Sequence, residues 1–240
     1  HIWDEARSKA KDEGFSLPEF DKFWKNGFKE VLSPKKQTIL LEDFRKDPQK
    51  NPISTPSGKI EIFSETVDSF NYQDCPGHPS WLEQEEWLGS NLTKQYPLQL
   101  ISGQPHNRLH SQLDNGSESQ NYKILGREPI KIHPQDAQTR RLVDGDIVEV
   151  FNKRGKCLAG VIVSNEVMKG VVFLAVGAWY DPINDGEFCI HGNPNVLTED
   201  IGTSSLAQGP SAHSTLVEIK KYTKEVPEIN IFHKPNIVNK

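Results

Sequence analysis

The residues best equipped for chemistry lie in two polar stretches of the 240-residue chain. The first, Ser102–Gly116, reads "SGQPHNRLHSQLDNG" and follows directly on the apolar run "YPLQLI". As extended chain it would place Arg108, His110 and Gln112 on one face as a row of donors. Leu109, Ser111 and Leu113 would then face the other way, towards a core. Gly103 allows a sharp backbone turn with exposed N–H groups, a common cradle for a phosphate oxygen. The chemistry suggested is binding of an anion and a heterocycle. The plain alternative, a polar hairpin tip whose side chains cap backbone groups, stays open on spacing alone.

The second stretch, His191–Ser214, reads "HGNPNVLTEDIGTSSLAQGPSAHS". Its Asn and Gln side chains offer donor and acceptor together, which suits the edges of a purine or a pterin. Ser, His and Asp all occur, but the nucleophile-elbow pattern G-x-S-x-G is absent, so acyl transfer is not expected. His106 and His110 are four apart. Asn107 stands where H-E-x-x-H needs Glu, and no third ligand is near in sequence, so a zinc site is not expected either. Neither G-x-x-x-x-G-K-[ST] nor G-x-G-x-x-G occurs, which leaves the common ATP and NAD modes without support. The aromatic, turn-rich "GAWYDPINDGE" between the stretches reads as a packed loop.

Composition narrows the classes further. Lys and Arg total 28 against 33 Asp and Glu, a net of −5, and no basic stripe stands out. Nucleic-acid binding, which depends on neutralising phosphates, is not expected. No apolar run approaches the length that spans a bilayer. Cys75, Cys157 and Cys189 are too scattered for a disulfide framework or a C-x-x-C pair, and read as small core or surface residues. The first residue is His1, not Met, so the chain is read as starting inside a longer, processed or cloned product.

Two textures must position these stretches. Residues 1–93 lean to helix: "WDEARSKAKDEG", then "SLPEFDKFWKNG" with Ser16 near a cap, Pro18 in the first turn and Gly27 past the end. A Lys- and Pro-rich connection from Ser33 leads to a short strand "KIEIFS", and "CPGHPSWLEQEEW" reads as loop then helix. From Tyr96 the texture becomes β. Six runs, "YPLQLIS", "EPIKIHP", "DIVEVFN", "CLAGVIVS", "GVVFLAVGAW" and "HSTLVEIKKY", are separated by turn chemistry such as D-G-D and N-K-R-G. A short helix is expected at "PQDAQTRR". Six short strands predict a small closed barrel, which also removes exposed edges. Val148, Val150, Val161, Val163, Val172 and Leu174 should share its core.

The segments "TPSGKIEIFSE", "SGQPHNRLHSQL", "HPQDAQTRRLVDGDIVEVFNKRGKCLAGVIVS", "GAWYDP" and the whole second stretch follow one another in a telling order. Together with "FDKFWKNG" they resemble the C-terminal end of molybdopterin oxidoreductases of the dimethyl sulfoxide, trimethylamine N-oxide and biotin sulfoxide reductase group. The resemblance implies a mainly β fold. Residues 94–240 would form a six-stranded double-psi β-barrel, the molybdopterin dinucleotide-binding domain, and residues 1–93 an α-rich segment of an upstream domain. It implies a molybdenum bis(molybdopterin guanine dinucleotide) cofactor in the full-length enzyme. Contacts to it would come from Ser102, Gly103, Gln104, Pro105, Arg108, His110, Ser111 and Gln112, and also from Asn195, Gln208, Ala212 and His213. The implied partners are the upstream domains and an electron donor such as a cytochrome.

No residue of the chain matches the group's Ser ligand to the metal, so no catalytic and no metal-binding residue is assigned. The chain by itself is expected to be inactive and to lack the metal. The other reading is a stand-alone, non-catalytic β-barrel binding or adaptor module.

Overall fold

A computed structural model of the chain describes residues 1–31, 38–183 and 188–234. Part of the Lys-rich connection and the "NDGE" of the aromatic loop lie outside the described residues. The chain divides into two compact units, His1–Ile62 and Phe63–Lys240. Residues 63–93 thus belong to the same unit as the β-rich part, a grouping that a boundary at 93/94 does not make.

The first unit carries α1 (Ile2–Asp12), α2 (Phe20–Asn26) and α3 (Glu42–Lys46). Gly27 ends α2 in the left-handed conformation, φ 78°, as its place after the aromatic run predicts. The helix begins after Pro18, with Glu19 as its N-cap, so neither Ser16 nor Pro18 starts it. Trp3 of α1 stacks on Phe23 with ring centroids 4.2 Å apart, and its indole N–H donates to Pro18 O. Phe20 and Trp24 remain exposed.

Two expected elements do not form. Lys59–Ser64 is irregular, because among the described residues no strand pairs with it and Ile60 and Ile62 stand in solvent. Ser64 instead caps α4 (Glu65–Asp68) by accepting from the Val67 N–H. Residues 75–87 form no helix. Glu83 accepts from both the Trp81 and Trp87 indoles, while Glu85 and Glu86 reach Lys153 and Arg154, so side-chain partners decide the path.

All six β runs form strands: β1 (Leu98–Ile101), β2 (Pro129–Ile132), β3 (Ile147–Phe151), β4 (Lys156–Val163), β5 (Val171–Leu174) and, after two short strands, β8 (Leu216–Lys221). The short pair β6 (Pro182–Ile183) and β7 (Phe188–Cys189) attaches to the start of β4, at Lys156 and Cys157. Turn chemistry sits where the runs break. Gly145, at φ 84°, follows Asp144, whose carboxylate accepts from Val163 N–H. The expected helix α5 (Pro134–Thr139) starts on Pro134, capped by the His133 imidazole.

The ladder order β2-β5-β1-β8-β3-β4 is closed by a parallel β2–β4 pairing. The ring repeats itself. Exchanging β1 with β4, β2 with β5 and β3 with β8 returns the same neighbours with the same directions, including the two parallel pairs β1–β5 and β2–β4. This mixed, closed, pseudo-twofold ring is the double-psi barrel. Alternate residues fill it: Leu98, Leu100, Ile130, Ile132, Val148, Val150, Val161, Val172 and Leu174 are buried in one cluster, with Val163 half-buried against it. Each such side chain contributes about 1.5–3 kcal/mol by leaving water. Cys157 and Cys189 lie opposite each other in register, both buried, and burial followed by the neighbouring thiol pushes the Cys157 thiol well up. They are core residues.

Amide exchange in β1, β3, β4 and β5 should require global unfolding, whereas the short helices of residues 1–31 should exchange by local opening. Slow exchange confined to the first unit would contradict this.

Candidate functional site

The first polar stretch leaves the end of β1 and does not stay extended. His110 and Leu113 adopt left-handed backbone, φ 50° and 61°, and Gln112 N–H donates to Leu109 O at 3.0 Å. The period-two row is therefore replaced by a coiled loop. Leu109 and Leu113, expected in a core, are exposed. Gln104 holds the loop from within: its carbonyl accepts from His110 N–H at 3.1 Å, and its amide nitrogen lies 2.8 Å from His110 Nδ1. Gly177, at φ 94°, packs under the same turn so closely that a Cβ would lie 1.8 Å from His110 O.

Arg108 points inward, which corrects its place in a solvent-facing row. Its side chain is 1% exposed, with Glu128 at 3.0 Å and Asp114 at 3.6 Å. It also donates to Val176 O at 2.8 Å and His110 O at 3.2 Å. Lys123 completes the cluster, 2.8 Å from Asp114 and 2.9 Å from Glu128. Two cations and two carboxylates balance, so the group is paired inside the protein with no cation left for a phosphate. Asp114 further accepts from Trp179 N–H, whose indole donates to Ser111 O.

His191 abuts this cluster, fully buried, with Nδ1 2.8 Å from Trp179 O. Burial, then the Lys123 charge, hold its pKa below the ordinary 6.5, against the opposing pull of Trp179 O, Asp114 and Glu128. The sign follows. As pH falls below about 6.5 the unfolded chain takes up a proton here that the folded one resists, so folding stability declines. Urea midpoints between pH 7.5 and 5, ranges in which imidazoles titrate, should fall less steeply for His191→Gln than for the parent. An unchanged slope would contradict this.

The two polar stretches each line a cavity beside the barrel. The first, about 620 Å³, brings together Asn195, Gln208 and Ala212 of the second polar stretch with Thr198, Glu199 and Asp200. The second, about 630 Å³, lies between Gln104–Asn107 after β1 and Ile162–Val167 at the end of β4, two places equivalent under the pseudo-twofold. Both are of a size that takes a nucleotide-like ligand.

The two polar stretches meet at His213. Its Nδ1 accepts from Ser102 N–H at 3.3 Å across 111 residues of chain. The Ser102 hydroxyl beside it is buried without a hydrogen-bond partner among the described residues. Gly103 follows, where a Cβ would meet the Phe173 ring at 3.0 Å. Thus Ser102 and Gly103 lie at the junction, Gln104 and Pro105 line the second cavity, and Asn195, Gln208 and Ala212 line the first. His110, Ser111 and Gln112 sit on the exposed loop.

Sequence reasoning missed the acidic wall Glu199–Asp200, visible as the only acids of the second stretch. It also missed Asp114, Lys123 and Glu128, whose pairing is not local.

Comparison with known proteins bears on what the cavities take. Residues 98–216 match the family described as Molydopterin dinucleotide binding domain. The chain is 46% identical over 244 residues to the trimethylamine-N-oxide reductase of Haemophilus influenzae, covering 99% of this chain and 30% of that protein. The chain belongs to the dimethyl sulfoxide/trimethylamine N-oxide reductase family. Trimethylamine-N-oxide reductase 1 of Escherichia coli K12 is 47% identical over 95% of this chain and 28% of its own length. The dimethyl sulfoxide/trimethylamine N-oxide reductase of Rhodobacter capsulatus is 42% identical over 92% and 27%. The chain thus spans about three tenths of the length of these family members. Among solved structures, the acetylene hydratase of Pelobacter acetylenicus superposes with a TM-score of 0.59 at 20% identity, over 73% of this chain and 25% of that one, a likeness of fold.

Proposed function

We propose that this chain is the C-terminal, dinucleotide-holding portion of a molybdenum-dependent sulfoxide or N-oxide reductase. In the intact protein it binds bis(molybdopterin guanine dinucleotide) together with upstream domains. A cytochrome or another electron donor delivers the electrons. The observation that carries this reading is the junction at His213, which ties the second polar stretch, whose Ala212 lines the first cavity, to the first, whose Gln104 lines the second.

The residues present fit such a group. The unpartnered Ser102 hydroxyl offers a hydrogen bond where Gly103 lets a ligand approach the backbone. Gln104 and Pro105 would line one dinucleotide arm, and Asn195, Gln208 and Ala212 the other, the amides of Gln104, Asn195 and Gln208 matching ring edges. Arg108 is excepted: it shapes the loop from beneath. When bound, the metal and its dithiolenes supply two-electron oxygen-removal chemistry, while these residues orient the group and shield it from water.

The test is the intact protein, assayed with a reduced viologen on trimethylamine N-oxide and on sulfoxides. Turnover that depends on molybdenum is expected from it and not from the 240-residue chain alone. Turnover by the isolated chain, or an intact protein without guanine nucleotide, would refute the reading.

A further inference from the structure

One side chain outside the barrel strands reaches into the frame of the first cavity. Glu86, 4% exposed, receives a two-pronged ion pair from Arg154, at 2.6 Å and 2.8 Å, and accepts from Leu216 N–H at 2.8 Å. Burial alone would raise its pKa. The Arg154 hydrogen bonds, the Leu216 N–H and the charges of Arg154 and Lys153 outweigh it, so the carboxyl stays ionised. Arg154 does not stop at Glu86. The same NH1 group lies 2.9 Å from Glu199, and its Nε donates to Leu197 O at 2.6 Å. Asn152 adds bonds to Leu197 O and Leu216 O. Glu199 lines the first cavity.

The chain running from Asp74 to Glu86 has two more ties to that wall. Asp74 accepts from both the N–H and the hydroxyl of Ser205, and Gln84 from the Ser214 hydroxyl. The Asn195–Ala212 wall has little regular structure of its own beyond the short 3-10 turn Pro194–Val196. It is held at Leu197, Glu199, Ser205 and Ser214 by side chains from elsewhere.

We propose that Glu86 and Arg154 are positioning residues for the first cavity: Glu86 fixes the guanidinium fork, and the fork fixes Leu197 and Glu199. The inference rests on the reading of this cavity as a dinucleotide site. It extends the functional site to a residue outside the matched domain, residues 98–216. A planar fork that satisfies three acceptors at once is something lysine cannot reproduce. A loose supporting layer displaces the ligand-facing groups even when the fold survives.

The test uses the full chain and guanosine diphosphate as the probe, since it carries the base, ribose and pyrophosphate of the proposed ligand. Calorimetric titration should show the dissociation constant raised about tenfold by Glu86→Gln and by Arg154→Lys, the effect of about one lost positioning hydrogen bond. Arg140→Gln breaks the Arg140–Glu218 pair, 2.7 Å long and lining neither cavity, and serves as the stability control. It should lower the melting temperature comparably and leave affinity within about twofold, the tolerance expected of independent sites.

Amides 197–202 should exchange faster in Glu86→Gln while those of β1 and β5 do not change. Binding by the parent with equal affinity in Glu86→Gln, or equal losses in the Arg140→Gln control, would overturn the inference alone. No binding by the parent chain would overturn the cavity reading and this inference with it.

Discussion

Replacing Arg108 with alanine is expected to lower folding stability by about 3–5 kcal/mol, the scale for removing one partner of a buried ion group. The reason is the balance beneath the loop. Glu128 and Asp114 are 4% and 0% exposed, and with Arg108 gone Lys123 alone faces both carboxylates. The Val176 and His110 carbonyls lose their donor as well. Denaturant titration reads the loss directly. Adding Glu128→Gln to Arg108→Ala should restore part of it, because the neutral amide removes the uncompensated charge. A loss within about 1 kcal/mol, the size found for exposed pairs, would mean that the cluster is open to water.

Gly177→Ala should be almost as damaging, at about 3 kcal/mol or more, for two reasons that add. The position has φ 94°, where an L side chain is strained, and its Cβ would lie 1.8 Å from His110 O and 2.3 Å from His110 C. Backbone cannot swing aside as a side-chain tip can, so the 108–112 turn must move and release Trp179 from Ser111. The control is Gly145→Ala, which has φ 84° but open space around its Cβ and should pay only the conformational strain. Equal melting temperatures for the two variants would show that the turn does not press on Gly177.

The barrel was legible because its strands are written locally. Alternation in "PLQLI", "PIKI" and "DIVEVF" placed Leu98, Ile130 and Val148 inward, and Asn-Lys-Arg-Gly marked the break between β3 and β4. The ring order was not legible, since the parallel β1–β5 and β2–β4 pairings join segments far apart in sequence. The same limit misled the reading of Arg108. Period two assumes ordinary extended backbone, and nothing local announces that His110 and Leu113 will adopt positive φ. Residues 59–64 alternate as a strand does but meet no partner strand among the described residues. For the site, the family resemblance singled out Asn195, Gln208 and Ala212, and these three line one cavity. The frame behind them, Glu86 with Arg154, depends on contacts 68 residues apart that no motif records.

The most direct measurement is guanosine monophosphate released by acid hydrolysis from the intact protein, counted per protein molecule, for the parent and for Asn195→Ala/Gln208→Ala. Both side chains are exposed at the cavity and touch no barrel core, so the fold should stand while two amide contacts are lost. At about 1 kcal/mol each, retention should weaken by about 30-fold, and nucleotide content should fall well below that of the parent at an unchanged melting temperature. Equal nucleotide content in parent and variant would contradict the claim that this cavity holds the dinucleotide.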